Sequence, residues 1–335
     1  MKTAIIGPGA IGGLVAAYLK EKGEDVYLVA RPESVHVINL AGLKISGVRG
    51  ETKIAVEAHT QLISKPELVI LATKTQDIEG ALIENAPFIK DAVILTTQNG
   101  LAADVIVARH IPEDRIISSI VMFGSTYLEP GVIVHNFEGS WIIGRALGKG
   151  PDQKLIDVSM VLDNAFPTVI SENIAGMKYL KIFINANNCI SAILGLSMQE
   201  SFKDLDVSLI SIGIWREAFN IISRQGIEMV SLPGFPVENI TKLTSMPPQE
   251  AARIFSGIMM SLSKDPLYGS ILQSIKRGRS SEIDYINGEF VAMAEKNHLE
   301  APLNQKLVEL VHAVEETKKF FTRDELLSFT KGLYG

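Results

Sequence analysis

The chain has 335 residues, about twice the usual domain length, so two domains are expected. Its 47% hydrophobic and 21% charged content supplies ample core material and excludes a disordered chain. A formal net charge of -6 argues against nucleic acid or a polybasic membrane partner, and the single cysteine, Cys189, excludes a disulfide framework and a cysteine-based zinc site.

Residues Met1 to Leu19 hold an early Lys2 and a weakly polar run that mimics a signal peptide. Gly7-Pro8-Gly9 interrupts that run, and no good small-residue cleavage site follows it. No later apolar run approaches the roughly 20 residues that span a bilayer, so a soluble, cytoplasmic protein is expected.

In chain order, Thr3-Ala4-Ile5-Ile6 reads as a strand and Ile11 to Lys22 as a helix. Asp25 to Val29, Leu68 to Ala72 and Ala92 to Thr96 read as further strands. Continuous apolar strands separated by helices indicate a parallel sheet covered on both faces. After Gly100 the texture turns β-rich: Ile117 to Gly124, then Val132 to His135, then Trp141 to Gly144, with the first domain closing near Val169-Ile170. From about Glu172 the signals are helical. Leu307, Leu310, Val311 and Val314 mark one apolar helix face, Pro247-Pro248 a helix start, and Ser231 to Pro236 an interhelical loop. The expected fold class is an α/β Rossmann-type domain with a parallel sheet over residues 1–172, followed by an all-α domain over 173–335, with the active site in the cleft between them.

Gly7-Pro8-Gly9-Ala10-Ile11-Gly12 is G-x-G-x-x-G, placed directly after a strand and before a helix. There the first glycine permits a tight turn, the second lets the backbone approach a pyrophosphate, and the third lets helix and strand pack closely. The helix N-terminus then offers unpaired N–H groups to the phosphates. The end of the second strand sets cofactor choice. An NAD site wants an acid there, whereas Val29-Ala30 is followed by Arg31, whose forked donors suit a 2′-phosphate. NADPH is therefore favoured over NADH.

Lys74 and Asn99 follow the strands 68–72 and 92–96 at their carboxyl ends, which border the ligand crevice of such folds. Further on, Lys181, Asn185 and Asn188 share one face if residues 178–189 are a continuous helix. A lysine and amides among Ile182, Phe183, Ile184 and Ile190 suit a partly buried polar site, where a lowered lysine pKa favours proton transfer. Alone, Ser281-Glu282 reads as a helix cap with an acid in the first turn. Six scattered histidines without metal spacing and the lack of a G-x-S-x-G elbow give metal and serine-hydrolase chemistry no support.

Together these residues resemble the ketopantoate reductase (2-dehydropantoate 2-reductase) family. The resemblance runs nearly end to end, through Gly7 to Gly13, Arg31, Lys74, Gln98-Asn99-Gly100, Pro130-Gly131, His135, Gly139, Lys181 with Asn185, Ser270, Glu282 to Gly288 and Pro302-Leu303-Asn304. It implies an NADPH-dependent enzyme of pantothenate synthesis, with Lys181 as general acid and Glu282 as the carboxylate that positions substrate. Asn99, Asn185 and Ser270 would bind substrate, and Lys74 would lie near cofactor and substrate. Cys189 stands where the family often has a second asparagine, and is assigned to the substrate site by that position. Ser274 departs from the aspartate usual at its place. A small 2-oxo acid and a homodimer complete the implied partners. Alternatives are a sister dehydrogenase acting on another 2-oxo acid, such as an aromatic one, and a non-catalytic NADP-binding regulator. Glu282 and Ser270 count against the first, and retention of Lys181 with Glu282 counts against the second.

Overall fold

A computed structural model describes residues 1–148, 150–263 and 266–334. The chain divides into two compact units, Met1–Ala175 and Gly176–Gly335. The first unit holds strands β1 (Thr3–Ile6), β2 (Val26–Val29), β3 (Leu43–Gly47), β4 (Thr52–Ile54), β5 (Ala58–His59) and β6 (Leu68–Leu71). It continues with β7 (Val93–Thr96), β8 (Ile116–Val121), β9 (Gly124–Glu129), β10 (Val132–Phe137), β11 (Trp141–Gly144) and β12 (Thr168–Ser171). Its helices are α1 (Ala10–Glu21), α2 (Pro32–Ala41), α3 (Ile78–Ile89), α4 (Ala102–Ala108) and α5 (Gln153–Asp163).

Eight strands form one sheet in the order β12-β11-β8-β7-β6-β1-β2-β5. All neighbours are parallel except β8 and β11. Side chains alternate across it. Ile5, Leu28, Ile70 and Leu95 enter one core, while Ala4, Ile6, Val29, Val69, Leu71 and Ile94 enter the other. Because both faces are covered, the strands need no polar alternation, which is why they read as unbroken apolar runs. The chain leaves β1 toward β2 on one side and later returns to β6 on its other side. That reversal makes the carboxyl end of β1 the switch point where open α/β sheets bind ligands.

The segment expected to be uniformly β-rich after Gly100 differs in two ways. It begins with helix α4, and of its strands only β8, β11 and the closing β12 join the main sheet. Strands β9 and β10 pair instead with β3 and β4 in a second, four-stranded sheet ordered β4-β3-β10-β9. Helix α1 packs against both sheets. Gly13 faces β10 so closely that a Cβ there would lie 2.4 Å from Ile133 Cδ1. Tyr18 of α1 hydrogen-bonds through its hydroxyl to His135 Nδ1 at 3.0 Å, and His135 Nε2 lies 3.0 Å from the Phe137 carbonyl. Burial lowers the His135 pKa, in keeping with this tethering role. The apolar run of Met1 to Leu19 is accounted for as β1 and α1, whose residues Gly12 to Leu19 are all buried.

The second unit is helical: α6 (Ile174–Ala186), α7 (Asn188–Leu194), α8 (Met198–Phe202), α9 (Leu205–Arg224) and α10 (Val237–Ser245). Then come α11 (Pro248–Ser261), α12 (Ser270–Lys276), α13 (Asn287–Lys296), α14 (Pro302–Thr317) and α15 (Arg323–Thr330). Pro248 occupies the first turn of α11, and Leu307, Leu310, Val311 and Val314 form the buried face of α14. Among the described residues no helix is long and apolar enough to cross a membrane.

Candidate active site

The glycine loop fits a pyrophosphate. Gly7 has φ +100, and a Cβ there would meet the Ala72 carbonyl carbon and the Thr73 nitrogen at 2.8 Å. On Gly12 a Cβ would come within 2.2 Å of the Gly7 carbonyl oxygen and 2.7 Å of the Ala72 side chain. Gly9 is the contrast, with nothing within 4 Å of its Cβ position. Two glycines thus close the loop against protein, and the middle one leaves room for a ligand. Pro8, Ala10 and Ile11 complete this loop and are partly exposed. Gly9 is the N-cap of α1 and supplies no side-chain acceptor, so the first-turn N–H groups keep their donors for a ligand.

Arg31 follows β2 as the exposed N-cap residue of α2. Lys74 and Asn99 lie just past β6 and β7, both partly exposed. Gln98, by contrast, is structural: its Nε2 donates to the Leu71 and Thr73 carbonyls at 2.9 and 2.8 Å and staples the two strand ends. Beside Lys74, the buried Thr73 Oγ1 has no hydrogen-bond partner. It is a donor that sequence reasoning passed over, because a threonine in a loop carries no signal of burial.

In the second unit, Lys181 and Asn185 are four residues apart on α6 and share a face. Lys181 keeps part of its surface accessible, yet protein packs densely around it, and burial lowers its pKa to about 8. Lys178 is the more enclosed of the two lysines, 3% exposed. The continuous helix expected through residue 189 is interrupted. α6 ends at Ala186 and α7 starts at Asn188, so Asn188 leaves the Lys181–Asn185 face. Its side chain instead abuts Gly269, where a Cβ would lie 3.1 Å from Asn188 Cγ, next to the exposed Ser270 at the start of α12. Cys189, assigned to the substrate site by position, is wholly buried. Its thiol donates to the Ala186 carbonyl at 3.1 Å, and burial pushes its pKa up to about 12. The turn between α6 and α7 rotates the thiol into the core and turns its neighbour Asn188 toward Ser270.

Glu282 is partly exposed and does not cap a long helix: it precedes the short 3₁₀ turn Ile283–Tyr285. The motif residues downstream anchor the helices that follow that turn. Asn287 Nδ2 donates to Asn304 Oδ1 at 3.0 Å, and Glu217 on α9 accepts from the Leu303 and Asn304 N–H groups and from Asn304 Nδ2 at 2.8–2.9 Å. Desolvation raises the Glu217 pKa against those three donors. Helix α6, carrying Lys181, packs on α13 through Phe183 and Phe290, whose rings meet edge-on at 5.1 Å. Among the described residues no cluster of three or more His, Cys, Asp or Glu side chains could hold a metal.

A glycine loop at a sheet switch point, joined to a helical unit bearing an enclosed lysine, defines a dinucleotide-binding oxidoreductase architecture. Residues 3–148 match the family model "Ketopantoate reductase PanE/ApbA", and residues 173–315 match "Ketopantoate reductase PanE/ApbA C terminal". The 2-dehydropantoate 2-reductase of Pyrococcus horikoshii is 34% identical over 321 residues, covering 94% of this chain and 98% of that protein. That of Aquifex aeolicus is 26% identical over 324 residues, covering 94% and 97%. The chain belongs to the ketopantoate reductase family. Among solved structures, a D-mandelate dehydrogenase bound to NADH and anilino(oxo)acetate superposes with TM-score 0.80 at 25% identity, covering 95% of this chain and 99% of that one. A PanE/ApbA family ketopantoate reductase from Ralstonia eutropha gives TM-score 0.79 at 23% identity, with the same coverage, and attests the fold.

Proposed function

We propose that this protein reduces 2-dehydropantoate to pantoate with NADPH, in the cytoplasm, as a step of pantothenate and coenzyme A synthesis. The observation that carries the proposal is Lys181. It is a densely surrounded lysine with a lowered pKa, on one helix face with Asn185, in a chain that aligns with named 2-dehydropantoate 2-reductases over nearly its full length.

Gly7 to Gly12 would hold the pyrophosphate, Arg31 the 2′-phosphate, and Lys74 with Asn99 the nicotinamide side. When bound, the cofactor supplies a hydride to the C2 ketone carbon. Lys181 holds a proton at the ketone oxygen; its positive charge stabilises the developing alkoxide, and the proton then moves from Nζ to that oxygen. Asn185, Ser270 and Asn99 orient the 2-oxo acid, so that hydride and proton meet one carbonyl in a fixed pose. Glu282 accepts a hydrogen bond from the 4-hydroxyl and thereby selects hydroxylated substrates. Asn188, beside Ser270, takes the amide role that its neighbour Cys189 cannot reach from the core.

A second substrate assignment, to another 2-oxo acid such as an aromatic one, is favoured by the structural likeness to D-mandelate dehydrogenase. Steady-state assays with NADPH and with NADH, across ketopantoate, its analogue lacking the 4-hydroxyl and an aromatic 2-oxo acid, separate the two. Highest kcat/KM for ketopantoate with NADPH is the expected result. A preference for the aromatic acid would reassign the substrate, and no turnover of any would point to a non-catalytic binding protein.

A further inference from the structure

We propose that His312 is a positioning residue for Glu282: held on both ring nitrogens by carboxylates from two elements, it fixes the turn that presents the Glu282 side chain to substrate. The inference rests on the proposed role of Glu282 as acceptor of the substrate hydroxyl.

The geometry is a closed loop of contacts around that turn. Ser281, one residue before Glu282, donates its backbone N–H to Glu315 Oε1 at 2.6 Å. Glu315 Oε2 lies 3.2 Å from His312 Nδ1 on the same helix, α14. His312 Nε2 lies 2.9 Å from Oδ1 of Asp284, two residues after Glu282. The Ser281 hydroxyl accepts from the Ile283 N–H at 3.3 Å, and the Tyr285 N–H donates to the Glu282 carbonyl at 3.0 Å. Ile283 is fully buried, so the turn is pinned by an apolar anchor within and by His312 across its outer side. Downstream, the Asn287–Asn304 amide pair holds the next helix without any titrating histidine.

A carboxylate only accepts, so keeping both ring contacts requires two N–H groups, and imidazolium alone has two. Burial by itself would lower the His312 pKa, but the hydrogen bonds and charges of Asp284 and Glu315 outweigh it and raise it. Asp284 from the 3₁₀ turn and Glu315 from α14 are the charged groups paired with this ring among the described residues. The contribution of the pair to stability is full below the ordinary histidine range and is lost as pH rises through the raised pKa. Above it, one ring nitrogen without a proton faces a carboxylate, and the grip on Ser281 or Asp284 opens. Binding through Glu282 weakens with it.

The test uses the full-length protein and the variants His312→Ala and His312→Lys. KM and kcat are measured from about pH 6 to about pH 9 with ketopantoate and with 3-methyl-2-oxobutanoate, which lacks the 4-hydroxyl. Amide hydrogen exchange at Ser281 and Ile283 is followed in parallel. In the wild type, KM for ketopantoate should rise with pH while KM for the shorter acid stays flat. His312→Ala should raise KM for ketopantoate about tenfold at the acid end, abolish its pH dependence, and leave kcat within about twofold, the loss expected of one charge-assisted contact. His312→Lys, a cation at every pH in this range, should restore part of the affinity without pH dependence. Exchange at Ser281 should quicken about tenfold in His312→Ala, whatever the substrate. Unchanged exchange, or an equal KM rise for both acids, would overturn the proposal. Quickened exchange in a protein that does not turn over ketopantoate would uphold the anchoring and refute the assigned substrate instead.

Discussion

The Cα of Gly12 and the carbonyl of Gly7 approach so closely that a Cβ on Gly12 would sit 2.2 Å from the Gly7 oxygen. Gly12→Ala in α1 would ordinarily gain about 0.5–1 kcal/mol of helix stability. Here overpacking against Gly7 and Ala72, about 1–3 kcal/mol, wins. Calorimetry should therefore show a lower Tm. Gly9→Ala has open space and an ordinary φ of -77, so its Tm should stay near wild type while NADPH affinity falls. An unchanged Kd for NADPH in Gly9→Ala would mean that the pyrophosphate lies elsewhere.

Arg31 stands exposed at the carboxyl end of β2, as the N-cap residue of α2. Arg31→Ala should weaken NADPH by roughly 1.5–3 kcal/mol, the range for a hydrogen bond to a charged group, and leave NADH nearly unchanged. Titration of each nucleotide by fluorescence checks this. Equal loss for both would remove the 2′-phosphate assignment.

Burial of Lys181 acts on stability and on rate in opposite directions. Its folded pKa, about 8, lies below the ordinary lysine value, so the ammonium opposes folding at neutral pH and the penalty fades as pH rises from about 8 toward 10.5. Lys181→Met should accordingly raise Tm at pH 7 while lowering turnover by about 10²–10⁴. In the wild type, the rate of reduction should fall as pH passes about 8, where the proton is lost. A Lys181→Met enzyme with near-normal kcat would transfer the acid role to another group.

Lys178, three residues before Lys181 on α6, is enclosed more completely. At 3% exposure it is a core-lining residue, and Lys178→Ala should lower Tm through lost packing of its stem and loss of its contacts. Whatever folded enzyme remains should retain kcat. A Tm equal to wild type would contradict its enclosure.

Glu217 gathers three donors from the start of α14, the Leu303 and Asn304 N–H groups and Asn304 Nδ2. Glu217→Ala would leave them buried and unsatisfied, about 1–3 kcal/mol for a group of that kind. Urea unfolding should register this as a lower midpoint with an unchanged m-value.

Local chemistry was legible wherever neighbours in sequence are neighbours in space. The strand, glycine loop and helix of residues 3–22 form one such unit, and the apolar face of α14 another. The second sheet was not legible. Strand β3 pairs with β10 some 90 residues away, and although Leu43-Lys44-Ile45-Ser46 alternates apolar and polar, β3 and the three-residue β4 are too short for the alternation to mark them. The break at residue 187 was hidden too, because Ile182 to Ile190 keeps an apolar helical pattern across it. A one-residue shift in phase there decides that Asn188 rather than Cys189 meets Gly269. The His312 cluster joins residues 28 positions apart, which no spacing rule reaches.

Helix α1 lies against the main sheet on one side and the four-stranded sheet on the other, with Tyr18 tied to His135 and Gly13 pressed on Ile133. The loop that would embrace a pyrophosphate is thus the leading end of a helix clamped along its length. Its donors are already oriented, and little conformational freedom remains to be surrendered when a nucleotide docks. The second sheet, which touches none of the chemistry, would then express itself in affinity: loosening it at Ile133 or His135 should weaken nucleotide binding through entropy, with every phosphate contact still in place.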